Sequence, residues 1–218
     1  LPIAERGLFA QLWVQASACR DCAPFGGIDA RFSTNPVALA FPTDGDPVVA
    51  DFSTAALAMG KVNRMIREGR KADEPLFLTA EGELSNDPNV VRQGGTILFT
   101  GGEGQGHKGY ALSLWCEALT ALSGGNCNNP ELEQRQCFGL TVINPQAFVG
   151  REDYLKEMKR FVRHVKSSRT RPGVEAIRLP GERALAQMRE SRQKGVPVED
   201  DMLDRLNELA KRYALATL

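Results

Sequence analysis

The sequence predicts an α+β fold, a mixed sheet with helices packed on it. Three observations carry this. Val37–Phe41 and Pro47–Asp51 are apolar runs joined by Thr43-Asp44-Gly45-Asp46, the composition of a hairpin turn. Thr96–Gly125 reads strand, glycine loop, helix: Thr-Ile-Leu-Phe-Thr, five glycines within Gly101–Gly109, then a largely apolar run from Tyr110 to Leu122. Beyond a strand at Phe138–Ile143, the chain turns helical. Tyr154, Leu155, Met158, Phe161, Val162 and Val165 mark one face of a helix over Glu152–Arg169.

In chain order, Gly7–Ala18 holds a strand around Leu12-Trp13-Val14 that ends near Ala16, and Pro24-Phe25-Gly26-Gly27 is a turn. Asn35 precedes Pro36 and is expected to be extended, with a side chain able to fix a neighbouring loop. After the hairpin, Ser53 or Thr54 caps a helix running to about Arg67, and Gly69 ends it. Leu76–Leu78 is a short strand, while Glu81-Gly82-Glu83 and Asn86-Asp87-Pro88 are turns. The helix after the glycine loop is apolar except for Ser113, Glu117 and Thr120, one polar stripe on an otherwise buried helix. A polar loop spans Asn126–Gln136. Val174–Leu179 is expected as a strand, Pro180-Gly181-Glu182 opens a polar helix to about Lys194, and Val198–Tyr213 is the last helix. Residues 1–150 form the expected sheet domain, and residues 151–218 add helices around it.

The glycine loop is the first candidate site. A helix N-terminus presents unpaired N–H groups and partial positive charge, glycines let a ligand approach them, and Lys108 adds a cation. Gly104-x-Gly106-x-x-Gly109 matches the dinucleotide fingerprint, but the acid expected about 20 residues on, at the end of the next strand, is replaced by Asn144-Pro145. The same glycines also suit a tight connection with no ligand.

Lys plus Arg and Asp plus Glu both number 27, which argues against a nucleic-acid or membrane-surface partner. No apolar run approaches the ~18 residues of a membrane span, and no signal peptide is visible. Five scattered cysteines suit reduced thiols in a cytoplasm. Cys19-Arg-Asp-Cys22 has metal or redox spacing, but with only His107 and His164 as further imidazoles no metal site is expected. The chain opens on Leu1 and runs straight into structured sequence, so it is expected to be a piece of a longer protein.

Six motifs in register carry a resemblance: Pro24-Phe25-Gly26-Gly27, Ser33-Thr34-Asn35-Pro36, Asp51-Phe52-Ser53-Thr54 with Gly60-Lys61-Val62, Asp87-Pro88, Gly106-His107-Lys108-Gly109-Tyr110, and Arg178-Leu179-Pro180-Gly181-Glu182. From about Gly7 to Tyr213 the chain resembles the malate/L-lactate dehydrogenase family, which includes ureidoglycolate dehydrogenase, sulfolactate dehydrogenase and piperideine-carboxylate reductase. The resemblance implies a mainly antiparallel, sulfolactate-dehydrogenase-like sheet rather than a Rossmann fold. It also implies an NAD- or NADP-dependent oxidoreductase that moves a hydride between nicotinamide and a 2-hydroxy, 2-oxo or imino acid, as a cytoplasmic homodimer.

By the same resemblance, cofactor contacts fall on Asp51, Phe52, Ser53, His107, Lys108 and the loop Arg178, Pro180, Gly181 and Glu182, with Ser17 a further match. At Ser17-Ala18 the chain departs from the family's polar pair. Asp51 is suited to ribose hydroxyls or to capping a helix, Lys108 to ligand charge or solvent, and Arg178 to bidentate phosphate contact. His107 either donates to a ligand or packs in its loop. The family's catalytic histidine and substrate arginine belong to an N-terminal segment that precedes Leu1, so no residue here takes that role unless His107 or Lys108 serves. Two other readings stay open: a non-catalytic nucleotide-binding or subunit-interaction protein on the same scaffold, and a Rossmann-type binder, which the strand order distinguishes.

Overall fold

The protein is described by a computed structural model covering residues 1–17, 19–129, 131 and 136–217. The chain divides into two compact units, Leu1–Pro180 and Gly181–Leu218.

The first unit opens on a short helix α1 (Pro2–Glu5), followed by β1 (Phe9–Ala16), β2 (Pro36–Phe41), β3 (Val48–Ser53) and α2 (Met59–Arg67). Then come β4 (Phe77–Leu78), β5 (Leu84–Ser85), β6 (Thr96–Ile97), α3 (Gly102–Gln105), α4 (His107–Ala121), β7 (Gln136–Ile143) and α5 (Arg151–Lys166). One sheet has the order β3-β2-β1-β7 and the other β5-β4-β6. Every pairing between these strands is antiparallel, and among the described residues a single parallel bridge joins Cys22 to Ile97. A doubly wound nucleotide fold needs parallel strands with helical crossovers, so the Rossmann reading is excluded and the fingerprint at Gly104 is coincidental. The fold is the expected α+β class, antiparallel sheets with flanking helices.

The β2–β3 hairpin forms where Thr43–Asp46 predicts it. The Thr43 hydroxyl donates to the Asp46 carbonyl at 2.8 Å and accepts from Gly45 N–H at 3.0 Å. Lys159 of α5 meets Asp44 in the same turn at 2.6 Å. The main core lies between α2 and the small sheet: Val62, Met65, Phe77, Ile97 and Phe99 are buried together with Leu57 and Cys22. Burying a ring such as Phe77 completely is worth roughly 1.5–3 kcal/mol. The second unit contains α6 (Glu182–Lys194) and α7 (Asp200–Arg212), whose first turns carry Glu182 and Asp200-Asp201 as the helix dipole favours.

Several boundaries differ from the expectation. α2 starts at Met59 after an uncapped Ala58, because the Ser53 and Thr54 hydroxyls are engaged elsewhere. The strand expected over Thr96–Thr100 is a ladder at Thr96–Ile97; beyond it Phe99 makes an isolated antiparallel bridge to Ala55, and Thr100 bonds the segment after β3. α4 begins at His107, inside the expected glycine loop. Residues 174–179 form no strand; just beyond them the Pro180 carbonyl accepts from Val49 N–H of β3 at 3.1 Å. Part of the Asn126–Gln136 loop lies outside the described residues.

The polarity of α4 is inverted. Ser113 and Thr120 are fully buried and Glu117 is 7% exposed, whereas Leu114, Trp115 and Leu122 face outward. The polar stripe is the face that packs on the first sheet.

Candidate functional site

Ser33-Thr34-Asn35 connects the pieces of the candidate site. Asn35 sits at φ 33, in the left-handed region that Asn tolerates better than most residues, and not extended as its place before proline suggested. That backbone aims its amide at α4, where Nδ2 donates to Ser113 Oγ at 3.0 Å and Glu117 Oε1 at 2.8 Å. The Ser33 hydroxyl donates to Asn35 Oδ1 and accepts from Ala16 N–H at the end of β1. The Thr34 carbonyl accepts from the hydroxyls of Ser53 at 2.9 Å and Thr54 at 3.0 Å. Three residues thus fix β1, the end of β3 and the middle of α4 against one another.

The glycine segment is fixed to the same place. Thr100 N–H donates to the Thr54 carbonyl at 2.8 Å, and the Thr100 hydroxyl donates to the Ala55 carbonyl at 3.0 Å. Gly109 lies so close that an added Cβ would stand 2.7 Å from the Thr54 carbonyl oxygen and 2.7 Å from Thr100 N. Gly101 has φ 106, which side chains rarely adopt. These glycines therefore have a packing reason of their own.

Three of the expected contact residues stand at the end of β3. Asp51 and Phe52 are exposed there, and Ser53 is half-buried. Because α2 starts at Met59, Asp51 does not cap it. His107 and Lys108 open α4 with both side chains exposed, and the His107 ring meets Phe25 edge-on at 5.7 Å. Pro180 is bonded to β3 two residues before Asp51, and Arg178 is exposed just upstream. Gly181 caps α6 at φ 92 and Glu182 is its first residue; both belong to the second unit. Ser17 is buried at the end of β1, beside Gln15. The Gln15 amide oxygen, turned toward them, accepts from Ser17 N–H at 3.0 Å and Asn128 N–H at 3.1 Å.

Sequence reasoning left out Asn35, Ser113 and Glu117 as a unit. The signal was present in the i, i+4, i+7 spacing of Ser113, Glu117 and Thr120. Burial pushes the Glu117 carboxyl up from its ordinary range, and the Asn35 hydrogen bond opposes only part of that; Oε2 has no partner among the described residues. The five cysteines are free thiols. Burial raises the Cys22 thiol, and that of Cys116 to about 12, so neither is a thiolate nucleophile at neutral pH. Among the described residues no three His, Cys, Asp or Glu side chains group to hold a metal, and no helix is long and apolar enough to cross a membrane.

The frame is a pair of antiparallel sheets with flanking helices, whose glycine turn packs on the segment after β3. Residues 1–207 match the family described as malate/L-lactate dehydrogenase, and the chain belongs to it. It is 34% identical over 205 residues to malate dehydrogenase of Pyrococcus abyssi, covering 90% of this chain and 57% of that protein. It is 33% identical over 218 residues to a Delta(1)-pyrroline-2-carboxylate/Delta(1)-piperideine-2-carboxylate reductase of Pseudomonas putida, covering 95% and 60%. Among solved structures, malate dehydrogenase of Pyrococcus horikoshii superposes with a TM-score of 0.83 at 29% identity, over 100% of this chain and 61% of that one. Sulfolactate dehydrogenase of Methanocaldococcus jannaschii superposes with a TM-score of 0.82 at 26% identity, over 99% and 62%. The chain thus spans about three-fifths of the length of the relatives it matches.

Proposed function

We propose that the intact protein is an NAD- or NADP-dependent oxidoreductase that interconverts a 2-hydroxy acid with a 2-oxo or imino acid. The observation that carries this is the joining of β3, the glycine turn and the Pro180 segment through Thr34, Thr100 and Val49. It sets exposed Asp51, Phe52 and Lys108 on neighbouring backbone, a fit for the mixed polar and aromatic surface of a dinucleotide. Bound nicotinamide supplies the hydride. Asp51 accepts from ribose hydroxyls, and Phe52 offers an apolar face. Ser53 holds the strand end through Thr34. Lys108 and Arg178 offset phosphate or carboxylate charge, and Ser17, Gly181 and Glu182 are the further expected contact residues.

His107 is a donor at the same turn, but transferring a proton to the reduced oxygen belongs to a residue of the relatives' additional N-terminal length. Residues 1–150 are the cofactor-binding sheet domain, and residues 151–218 are the helical C-terminal part. The protein acts as a cytoplasmic homodimer on a small acid, with no nucleic-acid or membrane partner; exposed Leu114, Trp115 and Phe138 are apolar surface available for assembly. The test is reduction of a 2-oxo-acid panel by the intact protein, followed by loss of nicotinamide absorbance. Turnover of at least one acid is expected. Saturable cofactor binding with no turnover of any acid would instead favour a non-catalytic binder on this scaffold.

A further inference from the structure

The three-stranded sheet has two faces. Phe77 and Ile97, paired across β4 and β6, belong to the core with Val62 and Met65. Alternation along each strand turns Leu78 and Thr96, also paired, to the opposite face, where Leu84 pairs with Leu78. This row lines a cavity of about 270 Å³, walled by the turn from Pro24 to Ile28 and by Phe99. Of the described side chains lining it, only Thr96 and Glu103 are polar, and none is cationic. Thr96 is fully buried, and its hydroxyl has no hydrogen-bond partner among the described residues. With no accessible surface, that hydroxyl is not presented to the cavity, whose reachable walls are apolar apart from Glu103.

The cavity adjoins the candidate site. Gly102 and Glu103 line it, while Gly109 in the same segment packs on Thr54 at the end of β3. Phe25 lines it and touches His107. We propose that this cavity takes the side chain of the substrate acid, a short uncharged hydrocarbon chain. This rests on the oxidoreductase reading. A second carboxylate is excluded by charge: it would leave water for apolar walls, without a cation and beside the Glu103 carboxylate.

The experiment is steady-state reduction of pyruvate, 2-oxohexanoate, 5-hydroxy-2-oxopentanoate and 2-oxoadipate by the intact protein. The two uncharged long acids are expected to exceed 2-oxoadipate in kcat/KM by about ten-fold or more, the scale of a charge or volume mismatch in such a pocket. Leu84 is 42% exposed, so Leu84→Trp adds bulk to the cavity without entering the core. It is expected to lower the kcat/KM ratio of 2-oxohexanoate to pyruvate about ten-fold. Preference for 2-oxoadipate, or an unchanged 2-oxohexanoate ratio in Leu84→Trp, would overturn the inference. Cofactor titration of the same samples separates the two failures. Bound cofactor with unmoved ratios removes the cavity's role alone, and no bound cofactor removes the reading beneath it.

Discussion

Asn35 holds its left-handed backbone only because its amide is matched on every side, by Ser33, Ser113 and Glu117. Removing it leaves buried polar groups unpaired, which is costlier than the bonds themselves. Glu117 has the opposite standing. Its folded-state pKa lies above its unfolded value, so the folded state binds the proton more tightly. Stability is therefore highest below the ordinary carboxyl range and declines as pH rises from there through the raised folded value. Glu117→Gln keeps an oxygen for Asn35 and removes the charge. It is expected to raise the melting temperature at pH 8 and to flatten the pH dependence above the carboxyl range. Thermal melts from pH 4 to 8 that show the same slope in both proteins would refute this. Asp51 belongs to function instead. Asp51→Asn is expected to weaken cofactor binding about ten-fold, and a lowered melting temperature with normal binding would show a structural role.

At the scale of elements, the hairpin, β1, β7, α6 and α7 were legible because turn residues and apolar periodicity are local signals. The failures have one physical source: groups satisfied by distant partners. Ser53 and Thr54 read as helix caps, yet their hydroxyls go to Thr34. Val174–Leu179 reads as a strand, yet no strand of the sheet pairs with it. Ser113 and Glu117 read as the polar stripe of an otherwise buried helix, yet they are the buried face, bonded by Asn35. The motifs of the candidate site were legible through the family resemblance, whereas their joining through Thr34 and Thr100 needed the tertiary structure. Gly109 tests that joining. Gly109→Ala places a methyl against the backbone of Thr54 and Thr100, neither a flexible side chain, and is expected to cost about 1–3 kcal/mol in urea unfolding. A cost near zero would mean that the contact is not tight.

For the whole molecule, the chain spans 57% to 60% of the curated relatives named above. Residues 1–218 contain the sheet and the expected cofactor contacts, and the account assigns proton transfer to sequence the relatives carry in addition. Expressed alone, these residues are therefore expected to show no measurable turnover of 2-oxo acids; steady NADH or NADPH oxidation by the segment would overturn that assignment. The central claim is that the end of β3, the glycine turn and the Pro180 segment together grip a nicotinamide dinucleotide. The most direct measurement is fluorescence titration of the intact protein with NADH and NADPH, repeated on Lys108→Ala and Arg178→Ala. The account predicts saturable binding of at least one cofactor, weakened about ten-fold by each substitution with melting temperature unmoved. Absence of saturable binding to either, or equal affinity in all three proteins, would contradict it.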